Sequence, residues 1–209
     1  IFPSPSSIFI EVFLKGYYQD LLKHAWVTLL EALIGFVIGV AIGFFVGILF
    51  ARLKTVRTVF VPYVVAATTV PIIAFAPVVV IWFGAGMLSK VVIVAFLTFF
   101  PVALGTMKGL MSTDRTLKDL FHCYAAGSYQ SFIKLELIFG LPYMFTTLRV
   151  TTPTAVISAI IAEFVASQAG LGYLVVRNWY TLQMPKLWGT ILVSCVVGSL
   201  AYTGMSAVD

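Results

Sequence analysis

The chain has 209 residues, 61% of them hydrophobic and 10% charged, with a net charge of +5, an isoelectric point near 9.3 and a mean hydropathy of +1.06. These proportions lie far from soluble averages and exclude an ordinary water-soluble domain. The basic excess does not indicate nucleic acid, because the basic residues sit mostly at the ends of apolar runs, where positive-inside bias accounts for them.

A helical membrane span needs about 20 mostly apolar residues. Five stretches qualify, at 25–51, 59–83, 91–110, 141–165 and 187–207. They are long and continuous, unlike the short alternating segments of a β-barrel. The expected architecture is therefore all-α, a polytopic transmembrane helical bundle with five spans. Residues 1–24 form an external N-terminal segment with an interfacial helix, and residues 25–209 form the transmembrane domain. The opening IFPSPSS has neither an initiator Met nor a charged leader, and with the N-terminus placed outside it suggests a further span ahead of Ile1.

In the first span Gly35, Gly39, Gly43 and Gly47 recur every four residues. Lipid gives helices no hydrophobic reason to associate, whereas close backbone contact through glycine does. The ordinary reading is packing within one subunit; the alternative is a dimer interface or a sliding surface. Glu31 lies one turn inside this span and is expected to pair with Lys23 or with a neighbouring helix. Pro62, Pro71 and Pro77 punctuate the second span, as kinks or as a broken helix lining a path, with Thr68 and Thr69 as path candidates.

Between the third and fourth spans lies the one long polar interruption, a loop at 111–140. Leu117, Leu120, Phe121 and Tyr124 follow the i, i+3, i+4, i+7 spacing of one helical face. Asp114 or Thr116 supplies an N-cap, and Ala125, Ala126 and Gly127 permit close approach before the helix ends. The fourth span carries TTPTAVISAIIAE, in which Thr154, Ser158 and Glu163 could face a translocation cavity. Glu163 could equally cap or pair at the interface, satisfied by Gln168, Arg177 or backbone amides. The external segment 166–186 follows, with Tyr173, Arg177, Trp179 and Tyr180 as an entrance or an interfacial belt.

Eight basic residues (Arg52, Lys54, Arg57, Lys108, Arg115, Lys118, Lys134 and Arg149) fall on the side of the first connection and the polar loop. Five (Lys15, Lys23, Lys90, Arg177 and Lys186) fall on the other. The polar loop is therefore cytoplasmic. His24 and His122 are expected on opposite sides, which removes a two-His metal site, and Cys123 and Cys195 are too far apart to pair. No Gly-x-Ser-x-Gly elbow or Gly-x-x-x-x-Gly-Lys-Ser/Thr loop is present. The chain reads as a transport component and not an enzyme, and ATP-driven work would need a separate subunit.

The segment from Asp119 to Pro142 resembles the cytoplasmic coupling loop of ABC importer permeases of the binding-protein-dependent type I class. Asp119, Leu120 and Phe121 occupy its Glu-Ala-Ala positions, Ala125 its Gly position, and Leu141-Pro142 its downstream Leu-Pro, while Ile138 stands where related members often have an earlier Pro. Pro3-Ser4-Pro5, His24 with Thr28, the glycine ladder, Pro71, Pro77, Trp82-Phe83-Gly84, Ser89-Lys90, Phe99-Phe100-Pro101, Ala162-Glu163-Phe164 and Gly170-Leu171-Gly172-Tyr173 are similar to the branch serving nitrate, taurine, alkanesulfonates and thiamine-precursor pyrimidines.

The resemblance implies a plasma-membrane subunit with six spans when complete, paired as a homodimer in the bilayer. An ATP-binding ABC subunit lies below and an external solute-binding protein above, with no nucleic acid partner. No cofactor is expected in this chain; ATP and Mg belong to the partner ATPase. The same resemblance implies that residues 119–127 seat in a groove of the ATPase. Leu120, Phe121 and Tyr124 would supply buried contact; Asp119, His122 and Lys134 would form the rim, with Ala125, Ala126 and Gly127 closing the helix. A helix lying on lipid headgroups explains the same stripe, and an ion-gradient-driven secondary transporter or channel subunit is the alternative function.

Overall fold

Apolar runs that must satisfy every backbone N–H and C=O internally fold as helices, and the described residues contain nine. The structure is a computed structural model that describes residues 3–207. The ends of the expected external segment and transmembrane domain, residues 1, 2, 208 and 209, lie outside the described residues. In chain order the helices are α1 (Pro5–Leu14), α2 (Tyr18–Arg52), α3 (Lys54–Ala67), α4 (Ile72–Phe83), α5 (Met87–Met111), α6 (Arg115–Cys123), α7 (Ser128–Val165), α8 (Leu171–Tyr180) and α9 (Met184–Ser206). The last turn and a half of α1 and residues Phe132–Glu136 of α7 are π-helical.

Helices α2, α5, α7 and α9 are long and apolar enough to span a membrane, and α3 with α4 forms a broken fifth span bent by 100°. The expectation of one helix over 59–83 is therefore corrected. Pro71 supplies no N–H, and the chain turns extended there. The Thr68 and Thr69 hydroxyls donate to the carbonyls of Val65 and Ala66, both at 2.7 Å, adding to the backbone bonds those carbonyls accept from the Thr68 and Thr69 N–H groups. Other spans run longer than hydropathy indicated. The first begins at Tyr18, because polar residues that would end an apolar count do not end a helix. The fourth begins at Ser128, inside the expected loop.

Helix α2 lies along α5, and the glycine ladder is their contact. A Cβ at Gly35 would meet Val94, one at Gly43 would meet Val102 and one at Gly47 would meet Thr106, while Gly39 sits against Thr98 and the Ala95 carbonyl. Partners advance together by four residues, so the two helices run parallel. The ladder is intrasubunit packing of the small-residue kind. Helix α5 then packs on α7, with Gly105 against Thr147 and Gly109 against Gly140.

Helix α1 starts at Ser4, whose hydroxyl accepts from the Ser7 N–H. Val12 rests on Gly189 of α9, and Glu11 pairs with Lys15 at 2.7 Å and Lys186 at 3.6 Å. The hydrogen bond from Lys15 holds the Glu11 carboxyl below its usual range. Arg52, Lys118 and Glu136 meet at one end of the bundle; His24 and Gly170 meet at the other. The first connection and the polar loop thus share an end, as their basic residues imply.

Candidate functional site

The polar loop folds into α6, a tight turn and the start of α7. Asp114 caps α6, its carboxylate accepting from the Thr116 N–H at 3.0 Å. No α6 residue is fully buried. The expected apolar stripe divides into two rows: Leu117 and Phe121 are half-buried towards the bundle, while Leu120 and Tyr124 stand exposed, at 49% and 79%. Asp119 and His122 are exposed, as is Lys134 on the π-helical turn. The exposed row is free for a partner, and Phe121 instead lines a small polar hollow with Arg52, Lys118, His122 and Glu136.

At the end of α6, Ala125 adopts φ +53, the left-handed region that favours glycine. The Ala126 N–H reaches back to the Phe121 carbonyl at 3.0 Å, so this residue makes the turn. Half-buried Ala126 lines the hollow. Gly127 has ordinary φ −66, and nothing lies within 4 Å of a Cβ built there. The close approach expected of Gly127 is corrected: the chain turns two residues earlier.

The path candidates do not converge. Thr68 and Thr69 are exposed at the α3–α4 break; Thr154 is exposed on α7 with its hydroxyl on the Val150 carbonyl at 3.2 Å. Ser158 is buried, bonded to the Thr154 carbonyl at 2.6 Å. Glu163 is 2% exposed, so its expected place on a cavity wall is corrected. The Thr28 hydroxyl donates to Glu163 Oε1 at 2.7 Å, and the Gly172 N–H donates to Oε2 at 2.5 Å. Of the partners expected for it, a backbone amide is used.

Around that carboxyl the chain builds a buried polar cluster at the outer end. Thr28 accepts from the Leu171 N–H at 2.8 Å, and His24 Nδ1 accepts from the Gly170 N–H at 2.9 Å. Gly170 has φ +109, and a Cβ there would overlap the Glu163 carboxyl. Buried Glu31 lies beside Glu163, and buried Lys90 interacts with both. The Lys90 ammonium donates to the carbonyls of Ala85 and Ala166. Glu31 thus meets neighbouring helices and not Lys23. The sequence offers Lys90 as an outer basic residue and as part of the Ser89-Lys90 resemblance, and nothing around it marks it as buried.

Open grooves lie elsewhere, the larger of about 700 Å³ between α7 and α9, lined by Pro153, Ile157, Phe164, Ser194 and Tyr202 among others. A groove of about 520 Å³ runs between α5 and α7, lined by Pro101, Leu104, Lys108, Tyr143, Thr146 and Thr147 among others. Thr146 and Thr147 donate their hydroxyls to the carbonyls of Pro142 and Tyr143, both at 2.7 Å, which leaves their oxygen lone pairs available as acceptors. Sequence reading missed this lining because a threonine every few residues in an apolar helix also serves packing.

The formylaminopyrimidine transport permease protein ThiX of Halalkalibacterium halodurans is 33% identical over 100% of this chain and 83% of its own length. The putative aliphatic sulfonates transport permease protein SsuC of Bacillus subtilis is 29% identical over 96% of this chain and 72% of its own. The riboflavin transport system permease protein RibX of Chloroflexus aurantiacus is 32% identical over 84% and 65%. An inward-facing structure of the MetNI methionine ABC transporter superposes with a TM-score of 0.79, covering 91% of this chain and 94% of its own at 19% identity, which shows the shared fold. The model of the binding-protein-dependent transport system inner membrane component matches residues 19–209, and the chain belongs to that family of membrane permeases.

Proposed function

We propose that this chain is the permease subunit of an ATP-driven importer, in which α6 docks a separate ATPase and two copies of the chain enclose the path of a small solute. The observation that carries this is α6 itself: a capped cytoplasmic helix whose Leu120 and Tyr124 remain exposed, in a chain matched to the family from residue 19 to residue 209. Helix-in-groove docking would bury that row. ATP and Mg bind the partner, which closes as a dimer and moves the seated helices with their spans. An external binding protein delivers the solute. The family match favours this reading over an ion-gradient-driven carrier.

The α5–α7 groove is our candidate for the path, since Lys108, Thr146 and Thr147 line it; its volume of about 520 Å³, like the 700 Å³ of the α7–α9 groove, lies within the usual range of small-ligand sites. Within the nitrate, sulfonate or taurine, and thiamine-precursor pyrimidine range that the resemblance implies, the names of the relatives favour a formylaminopyrimidine or an aliphatic sulfonate, and one adds riboflavin. Full burial of a leucine is worth about 1.5–3 kcal/mol. Leu120→Asp should therefore release the ATPase from the purified complex and abolish uptake of a formylaminopyrimidine into proteoliposomes. Retention of the ATPase by Leu120→Asp with undiminished uptake would refute docking through α6. Uptake of an aliphatic sulfonate but no pyrimidine would redirect the solute assignment alone.

A further inference from the structure

We propose that Glu136 is a positioning residue, an ionic strut that holds the α6 helix to the transmembrane body so that motion of α6 reaches α2 and α5 directly. The proposal rests on the docking reading of α6 given above.

Glu136 ends the π-helical turn of α7 and is 9% exposed. Its two carboxylate oxygens serve two elements: Oε1 pairs with Lys118 of α6 at 3.3 Å, and Oε2 with Arg52 at the end of α2 at 3.1 Å. Arg52 is braced on its other side by the Phe132 ring, 4.5 Å from the guanidinium carbon. Its charge also sits at the negative end of the α2 dipole. One end of the strut is thus fixed to the helix that packs along α5.

The other end holds a helix with little else to fix its orientation. Helix α6 buries no residue fully, and the turn after it is made by single residues. Without the strut, force from α6 would pass to the bundle through half-buried Leu117 and Phe121 and along its two chain connections, residues 112–114 from α5 and the turn into α7, none of which touches α2 by an ion pair. A π turn accommodates one extra residue, which rotates the start of α7 by about 100° relative to its main shaft. That offset lets Glu136 face Arg52 and Lys118 while the shaft packs on α5. Both cations are more than a third exposed on their side chains, so resting stability gains little from either pair. Removing the carboxylate has a larger effect, because it leaves two positive groups facing each other in a half-enclosed hollow.

The test uses the complex with its ATPase in lipid nanodiscs and the chain's two free, exposed thiols, Cys123 at the end of α6 and Cys195 in α9. Spin labels on both report the orientation of α6 against the bundle. Glu136→Gln should broaden the Cys123–Cys195 distance distribution and abolish its shift when ATP and vanadate are added. Lys118→Glu should do the same, and combining it with Glu136→Lys and Arg52→Glu, which puts one cation between two carboxylates, should recover the shift. An unchanged distribution and shift in Glu136→Gln overturns the strut, as does a lowered melting temperature with the ATP-driven shift intact. A triple exchange that fails to recover what Lys118→Glu loses overturns it as well. Leu120→Asp separates the two readings: if it releases the ATPase while Glu136→Gln keeps the shift, docking stands and the strut falls. If it leaves the ATPase bound and the shift intact, docking itself fails.

Discussion

Replacing Gly39 by alanine tests whether the glycine ladder is a seam within each subunit. A Cβ at that position would meet the Ala95 carbonyl oxygen at 2.6 Å and fall on the Thr98 hydroxyl. The carbonyl is backbone and cannot rotate away, so α2 and α5 must separate locally. Overpacking of this kind costs about 1–3 kcal/mol, while alanine gains about 1 kcal/mol over glycine in a helix interior. Gly204 of α9 provides the control, because nothing lies within 4 Å of a Cβ there. Gly204→Ala takes the propensity gain without the clash, and the difference between the variants isolates a clash of about 1–3 kcal/mol. Denaturation midpoints of the two variants in one detergent give that difference, and it should not depend on protein concentration, since the contact lies inside one chain. Equal midpoints would refute the seam; a deficit that disappears at high protein concentration would make it a contact between copies.

Two further substitutions separate local roles. Ala125→Gly should relieve the left-handed strain of about 1–2 kcal/mol, offset in part by added freedom in the unfolded chain; slower hydrogen exchange at the Ala126 amide, which bonds the Phe121 carbonyl, would show it. Glu163→Ala should leave Thr28 and the Gly172 amide without their buried acceptor and take from Lys90 one of its two carboxyl partners, at up to roughly the 3–5 kcal/mol of a broken buried pair. The yield of monodisperse protein should fall while the KM of the protein that remains is unchanged, and a raised KM at full yield would return Glu163 to the solute path.

The number, order and helical nature of the spans were legible because a bilayer demands about 20 apolar residues per crossing. Their ends were not: Tyr18 and Ser128 start helices amid polar residues, where hydropathy carries no information about backbone hydrogen bonding. A short helix in the polar loop was legible from its spacing, but not its bounds, which are Arg115–Cys123 and not 119–127, nor which row faced outwards. Phe121 and Leu120 are neighbours on the helix, and only the hollow around Glu136 decides between them. The outer cluster was present in sequence as disconnected pieces. His24 with Thr28, Ser89-Lys90, Ala162-Glu163 and Gly170-Leu171-Gly172 were each part of the family resemblance, and the fold brings all four together around one carboxylate. Their common role was invisible because, apart from Glu163 and Gly170 seven residues apart, the pieces lie far from one another along the chain.

That cluster and the Glu136 strut answer a question the glycine ladder raises. Gly35, Gly39, Gly43 and Gly47 face Val94, Thr98, Val102 and Thr106, two rows with the same four-residue period. A slip by one repeat, about 6 Å at the α-helical rise, would give three of the four glycines an equivalent partner. Close backbone packing alone therefore fixes the distance between α2 and α5 better than it fixes their register. Polar contacts have no such translational equivalence. At the outer end Glu31 and Thr28 of α2 meet Lys90 of α5 and Glu163 of α7; at the inner end Arg52 of α2 meets Glu136 of α7. A slip would break both groups, and unpairing a buried charge costs about 3–5 kcal/mol. The helices α2, α5 and α7 should consequently move as one body when α6 is displaced, and the sliding-surface reading of the ladder fails on the contacts at its two ends.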